Sequence, residues 1–171
     1  LRAGSHDKTY VIDSYDAILK DEAVASKLVP DVVLRFGAMP VSKPLFLWLK
    51  QHRSIRQIVV DDGGWRDPTL SAACFVHSHE TVFCRQLLDI AEPKRKEGAW
   101  STTWRKMNDI ARTVLREHLP TDEWFEGKVF TELAELLPAG AALFVGNSMP
   151  IRDADTFLLA ADKPLRVLAN R

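Results

Sequence analysis

The chain reads as an α/β protein built on parallel strands, and three features of its 171 residues predict this. Asp31–Phe36 and Ile55–Val60 are short apolar runs flanking a helical segment, and strand, helix and strand within about thirty residues require a parallel pair joined by a crossover. Residues 141–145 and 165–169 frame a second segment of the same kind. Strands also end in glycine, at Gly37, Gly63-Gly64 and Gly146, the punctuation of strand-to-helix turns. Together they describe a Rossmann-like parallel sheet flanked by helices, followed by the start of a second α/β unit.

The elements follow in order. Asp13 or Ser14 caps a helix expected to reach about Leu28, with Ile18, Leu19 and Leu28 apolar at helical spacing and Asp21 and Glu22 outside. Pro30 stops it. Asp31–Phe36 is the first strand, and Ser42 with Pro44 opens a helix through Leu45, Leu47, Trp48 and Leu49. Ile55–Val60 is the second strand and Cys74–His77 a weaker third. Residues 80–91 read as a helix with an apolar stripe of Val82, Phe83, Leu87, Leu88 and Ile90. Glu92–Gly98 turns polar and charged, which is linker chemistry and places a domain boundary there. Trp100–His118 is a helix whose apolar side, from Trp104 to Leu115, suits packing between domains. Pro120 ends it, and Thr121 or Asp122 caps a helix over 122–137 with Phe125, Val129, Phe130, Leu133, Leu136 and Leu137 as its buried face. Strand 141–145, a helix or turn from Met149 and strand 165–169 complete the list. Two strands cannot bury both faces of a sheet, so the second unit is expected to be incomplete. The expected division is 1–92, a linker and interdomain helix over 93–120, and 121–171.

Composition narrows the function classes. With 46% hydrophobic and 27% charged residues the chain is an ordinary globular one, and 23 basic against 23 acidic residues leave no basic field for nucleic acid and no polybasic membrane patch. An anion has to be recognised locally. Cys74 and Cys84 have neither a CxxC spacing nor the density of a disulfide scaffold, which favours a reducing, cytoplasmic setting. No apolar run approaches the roughly 20 residues of a membrane span. The ends, Leu1-Arg2 and Asn170-Arg171, read as those of a piece of a longer protein.

The sharpest chemical signal is Ala141 to Asp153, an apolar strand running into Gly146-Asn147-Ser148 and a turn that holds Arg152. Backbone N–H groups at such a sheet edge favour an anion, and Arg152 adds a positive charge. Gly37-Ala-Met-Pro-Val-Ser-Lys43 occupies the matching position in the first unit and also ends in a cation; Lys43 opposes its helix dipole unless it meets an anion. Asp61-Asp62-Gly63-Gly64 lies where a dinucleotide fold has its ribose acid, but Gly37 has no second or third glycine, so turn and cap chemistry is the better account. His77 and His79, near Cys74, place two imidazoles on one strand face without a second cluster to complete a zinc site. Ser148 is outside a GxSxG elbow and is expected to donate a hydrogen bond rather than act as a nucleophile. Trp48, Trp100, Trp104 and Trp124 are assigned to helical packing stripes.

Gly146-Asn-Ser-Met-Pro-Ile-Arg-Asp-Ala-Asp-Thr-Phe157, Arg35-Phe-Gly-Ala-Met-Pro-Val-Ser-Lys43, Asp61-Asp-Gly-Gly-Trp-Arg-Asp-Pro68 and Asn170-Arg171 closely resemble one group of thiamine-diphosphate enzymes. These are the 2-succinyl-5-enolpyruvyl-6-hydroxy-3-cyclohexene-1-carboxylate (SEPHCHC) synthases of menaquinone biosynthesis, in their bacillus-like form. The resemblance spans essentially the whole chain. It implies a transhydrogenase-III-like central domain followed by the first part of a C-terminal diphosphate-binding domain.

The resemblance also implies a reaction: decarboxylation of 2-oxoglutarate on thiamine diphosphate with Mg²⁺, and addition of the succinyl-semialdehyde carbanion to isochorismate. Both substrates carry carboxylates, so fixed cations matter more than acids or bases. By resemblance Ser148 and Arg152 hold a substrate carboxylate, Arg171 is a second active-site arginine, and Lys43 reaches in from the central domain. Asn147 and Ser148 lie where the diphosphate end of the cofactor approaches. Pro44 stands where many relatives carry a second cation. The activating glutamate and the Asp-Gly pair that anchors Mg²⁺ belong to segments outside this chain, so the 171 residues alone are expected to be inactive and to bind little cofactor. A homodimer or tetramer is implied for the whole protein. Two readings stay open: a stand-alone nucleotide-binding regulatory module, and an acetolactate-synthase-like enzyme.

Overall fold

The computed structural model describes residues 2–91, 97–119 and 123–170. Its elements run α1 Tyr15–Ile18, α2 Glu22–Ala25, β1 Val32–Phe36, α3 Lys43–Gln51, β2 Arg56–Val60, β3 Ala72–Val76, α4 Glu80–Ile90, α5 Ala99–His118, α6 Glu126–Leu136, β4 Ala142–Val145, α7 Met149–Phe157 and β5 Arg166–Ala169. The strands form two parallel sheets, β1-β2-β3 and β4-β5. In the first, Val32 pairs with Arg56 and Phe36 with Val60, so both strands end level and their following turns open at one edge. In the second, Ala142 pairs with Arg166 and Val145 with Ala169.

Each sheet has its own apolar core. Leu28, Trp48, Leu49 and Ile55 gather with Trp104 of α5 on the first, while Phe130, Val145, Ala154 and Leu158 gather on the second. Ser42 starts α3 by accepting the Leu45 N–H at 3.1 Å, and Pro44 falls in the first turn, where its missing N–H costs nothing. α6 packs against α7 through Gly127, where a methyl group would overlap the ring of Phe157.

Segment 13–16 joins the two units. The Asp13 Oδ2 accepts the Ala160 N–H at 2.6 Å, and the Tyr15 hydroxyl donates to Asp155 Oδ2 at 2.6 Å. Arg2 pairs with the other oxygen of Asp155 at 2.8 Å. Burial, reinforced by the Asp155 carboxylate, pushes the Tyr15 phenol well above its ordinary value. Asn108 of α5 accepts the Ser14 N–H at 3.0 Å and is itself buried.

Four expectations need correcting. The single helix expected from Asp13 or Ser14 to Leu28 is two short ones: the Asp21 side chain accepts the Val24 N–H at 3.0 Å and begins a new helix, so Asp21, exposed as expected, is a cap and not a mid-helix residue. The stripe of α4 is present in sequence but not buried among the described residues, with Leu88 at 72% and Ile90 at 81% exposure. An amphipathic pattern reports a face that favours burial, and here only its Phe83 end is met, by the Phe36 ring of β1 at 6.0 Å between centroids. α6 begins at Glu126, and Gly127 and Phe130 are its buried residues while Val129 and Leu136 are exposed. Trp124 precedes that helix and is 80% exposed, with the Lys128 ammonium 5.1 Å from its ring. The expected caps Thr121 and Asp122, Pro120 and most of the 92–98 linker lie outside the described residues.

Candidate functional site

Two strand-to-helix turns build the site. After β1, Gly37 takes φ +65°, a left-handed conformation suited to glycine, and donates its N–H to the Val60 carbonyl at 2.9 Å. The chain passes Met39 and Pro40, is capped at Ser42, and presents Lys43 as the first residue of α3. After β4, buried at Val145, the chain turns through Gly146 and Asn147 to Ser148, with α7 starting at Met149 and Arg152 in its first turn. Here the left-handed residue is not a glycine: Ser148 holds φ +71° and ψ −124°, and its side chain makes no cap bond to α7. A non-glycine residue there stores on the order of 1–3 kcal/mol of backbone strain.

The turns meet at a cleft of about 510 Å³ whose lining includes Lys43, Asn147, Ser148 and Arg152, with Met39 and Phe46 as apolar neighbours. Asn170 lines it as well; Arg171 lies outside the described residues. Lys43 and Arg152 also border a second cleft of about 490 Å³, on the side of Asp16, Trp48 and Thr156. Both side chains are exposed, and neither forms an ion pair with the described residues; Arg152 Nη1 lies 3.8 Å from the Met149 sulfur. Neither α3 nor α7 carries an acidic residue in its first turn. Two helix N-termini and two cations therefore face one cleft without a counter-charge among the described residues, an arrangement that favours a carboxylate or phosphate.

The surrounding loop is held rigidly. Arg35, at the end of β1, pairs with Asp67 at 3.2 Å with both side chains almost fully buried. Burial alone would lift the Asp67 carboxyl, yet the Thr69 hydroxyl, the Ala72 and Ser71 N–H groups and the Arg35 guanidinium hold it below the usual carboxylate range. This fixes Pro68, which lines the cleft beside Met39. Asp61 closes β2 by accepting the Gly63 and Gly64 N–H groups at 2.9 and 3.1 Å, and the Gly63 contact in particular lowers its carboxyl. Turn chemistry accounts for this motif. Asp153, next to Arg152, is shifted the other way by burial and by the nearby Glu126 charge.

The two imidazoles separate. β3 ends at Val76, His77 meets the Trp65 ring at 4.9 Å, and His79 Nδ1 accepts the Thr81 N–H as the cap of α4, so they do not share a strand face. Among the described residues no group of three or more His, Cys, Asp or Glu side chains could hold a metal ion. Cys74 and Cys84 are free thiols, and no helix described is long and apolar enough to cross a membrane. Sequence reasoning missed Asp16, whose carboxylate accepts from Ser42 Oγ at 2.6 Å and joins α1 to the base of α3. A lone acid in a short helix carries no pattern that marks it.

Comparison with known proteins places the chain. The family model described as the middle domain of thiamine pyrophosphate enzymes matches residues 5–145. Over its full length the chain is 91% identical to the SEPHCHC synthase of Geobacillus thermodenitrificans and 79% identical to that of Geobacillus kaustophilus. It is 47% identical to the same synthase of Chloroflexus aurantiacus. In each case all of this chain is covered but only 29–30% of the relative, so the chain spans about three tenths of the length of these relatives.

Proposed function

Since the chain belongs to the family of thiamine pyrophosphate enzyme middle domains, we propose that it is the part of a SEPHCHC synthase that holds substrate carboxylates. In this reading the whole protein is a cytoplasmic, homo-oligomeric transferase of menaquinone biosynthesis, decarboxylating 2-oxoglutarate and adding the four-carbon remainder to isochorismate. The observation that carries the reading is the convergence of Lys43, Ser148 and Arg152 on one cleft, each cation at a helix N-terminus and without an ion-pair partner among the described residues.

Lys43 and Arg152 bind carboxylate oxygens, and the Ser148 hydroxyl, free of a capping duty, donates a third hydrogen bond that orients them. Asn147 and the backbone of Ser148, ahead of the α7 N-terminus, suit the diphosphate end of the cofactor. Thiamine diphosphate, when bound, supplies the nucleophilic carbon and the electron sink for decarboxylation. The described residues fit its anionic end but offer no acid cluster for Mg²⁺, so the ion and the activating glutamate are assigned to other segments of the full-length protein. Arg171 is proposed as a further carboxylate contact beside Asn170. Two sheets with separate cores support a division between 1–92 and 121–171, with the interdomain helix of 93–120 packed into the first core through Trp104.

Arg152→Ala in the full-length synthase tests the reading. Loss of a charge-assisted contact of about 3 kcal/mol lowers kcat/KM for 2-oxoglutarate on the order of a hundredfold, with Arg152→Lys intermediate. Wild-type kinetics in Arg152→Ala would remove the assignment.

A further inference from the structure

We infer that Asp16 is a positioning residue that sets the Lys43 and Arg152 helices relative to one another, an inference that rests on the carboxylate-holding function proposed for those two cations. Asp16 is buried in α1, which packs against both α3 and α7. Its Oδ1 accepts from Ser42 Oγ at 2.6 Å, the short distance of a hydroxyl bonded to a carboxylate. Ser42 is the cap of α3 and the residue immediately before Lys43. The other oxygen, Oδ2, takes the Lys20 ammonium at 3.0 Å and the Thr156 hydroxyl at 3.4 Å. Thr156 stands on α7 one turn beyond Arg152.

One carboxylate therefore touches the start of the helix that carries Lys43 and the last turn of the helix that carries Arg152. The geometry gives this contact a role beyond packing. α3 follows β1 of the three-stranded sheet and α7 follows β4 of the two-stranded one, so the separation of the cations depends on how the two units are joined. Asp16 makes that joint beside the cations themselves and lines the cleft that Lys43 and Arg152 border from the other side. A buried carboxylate is costly unless bonded. Lys20 holds Oδ2 from within the same segment, while the Ser42 bond to Oδ1 needs α3 in register and the longer Thr156 bond to Oδ2 needs α7. A dicarboxylate gripped by two cations is sensitive to their spacing, whereas a substrate lacking the second carboxylate is not.

The test is steady-state kinetics of the full-length synthase with 2-oxoglutarate and with 2-oxopentanoate, its analogue lacking the second carboxylate. Asp16→Ala is expected to raise KM for 2-oxoglutarate about tenfold, to change kcat little, and to narrow the preference for 2-oxoglutarate over 2-oxopentanoate. Asp16→Asn, which keeps an acceptor oxygen and the side-chain volume, gives a smaller rise in the same direction and decides the matter if Asp16→Ala does not fold. An unchanged KM and an unchanged preference in Asp16→Asn, or in a folded Asp16→Ala that is merely less heat-stable, overturns the inference. Lys43→Ala and Arg152→Ala separate the two levels. If they narrow the preference while the Asp16 variants do not, the positioning role alone fails; if they leave it unchanged, the carboxylate-holding reading fails and this inference with it.

Discussion

The turns after β1 and after β4 use the same residues to opposite effect. Each runs from a strand through a glycine and a Met-Pro pair to a cation at a helix start. In the first, the left-handed position is Gly37, and Ser42 is engaged on both sides, accepting from Leu45 and donating to Asp16. In the second, the left-handed position is Ser148, and its side chain caps nothing. The first turn is braced from within the chain; the second is strained, and its serine hydroxyl has no bond among the described residues. Strain of that kind persists when its surroundings hold it, and it clusters where a ligand completes the contacts.

The largest effect on stability should come from the packing behind the second turn. Gly127→Ala drives a methyl group into Phe157, at the end of the helix that carries Arg152, and is expected to cost about 2 kcal/mol by thermal unfolding. A smaller pair of substitutions addresses the contrast itself. A Cβ at Gly37 meets no neighbouring atom, so Gly37→Ala costs only its backbone strain, about 1 kcal/mol. Ser148→Gly relieves strain and should leave stability equal or improve it by up to about 1 kcal/mol, while kcat/KM falls with the lost hydroxyl. If Ser148→Gly is as destabilising as Gly37→Ala, the two turns are not different in kind.

An effect of similar size concerns the joint between the units. Tyr15 has its phenol raised above the ordinary value near 10, so in the folded protein it stays protonated at pH values where the unfolded chain ionises. Its stabilisation is fully present below that value and is lost as the pH rises above it. Tyr15→Phe should lower stability at neutral pH by about 1 kcal/mol and flatten the alkaline decline. Identical alkaline profiles for both proteins would exclude a contribution from the Tyr15–Asp155 contact.

Much of this architecture is legible in the sequence where local chemistry dominates. Ser42 with Pro44 marks the start of α3, β-branched runs mark β1 and β2, and Gly146 through Arg152 marks the second turn, because each depends on residues within a few positions. What escaped depends on distant partners. Asp21 looks like a mid-helix residue until its side chain takes the Val24 N–H and caps a new helix. Asn108 lies among apolar neighbours on α5, and only the Ser14 N–H, far away in sequence, explains its burial. Gly127 reads as a weak point in a helix and is instead where a phenylalanine ring packs. At the site, the residues proposed to meet the ligand were visible from their charge and position, whereas Asp16, which touches both of their helices, was not.

The central claim is that Lys43 and Arg152, from two different units, hold one anionic substrate. A double-mutant cycle on kcat/KM for 2-oxoglutarate in the full-length synthase, comparing Lys43→Ala, Arg152→Ala and the pair, tests it directly. Cations that share a ligand must be non-additive, with a coupling on the order of 1 kcal/mol or more. Losses that simply add, to within about 0.5 kcal/mol, would show that the two residues act on separate groups and contradict the account.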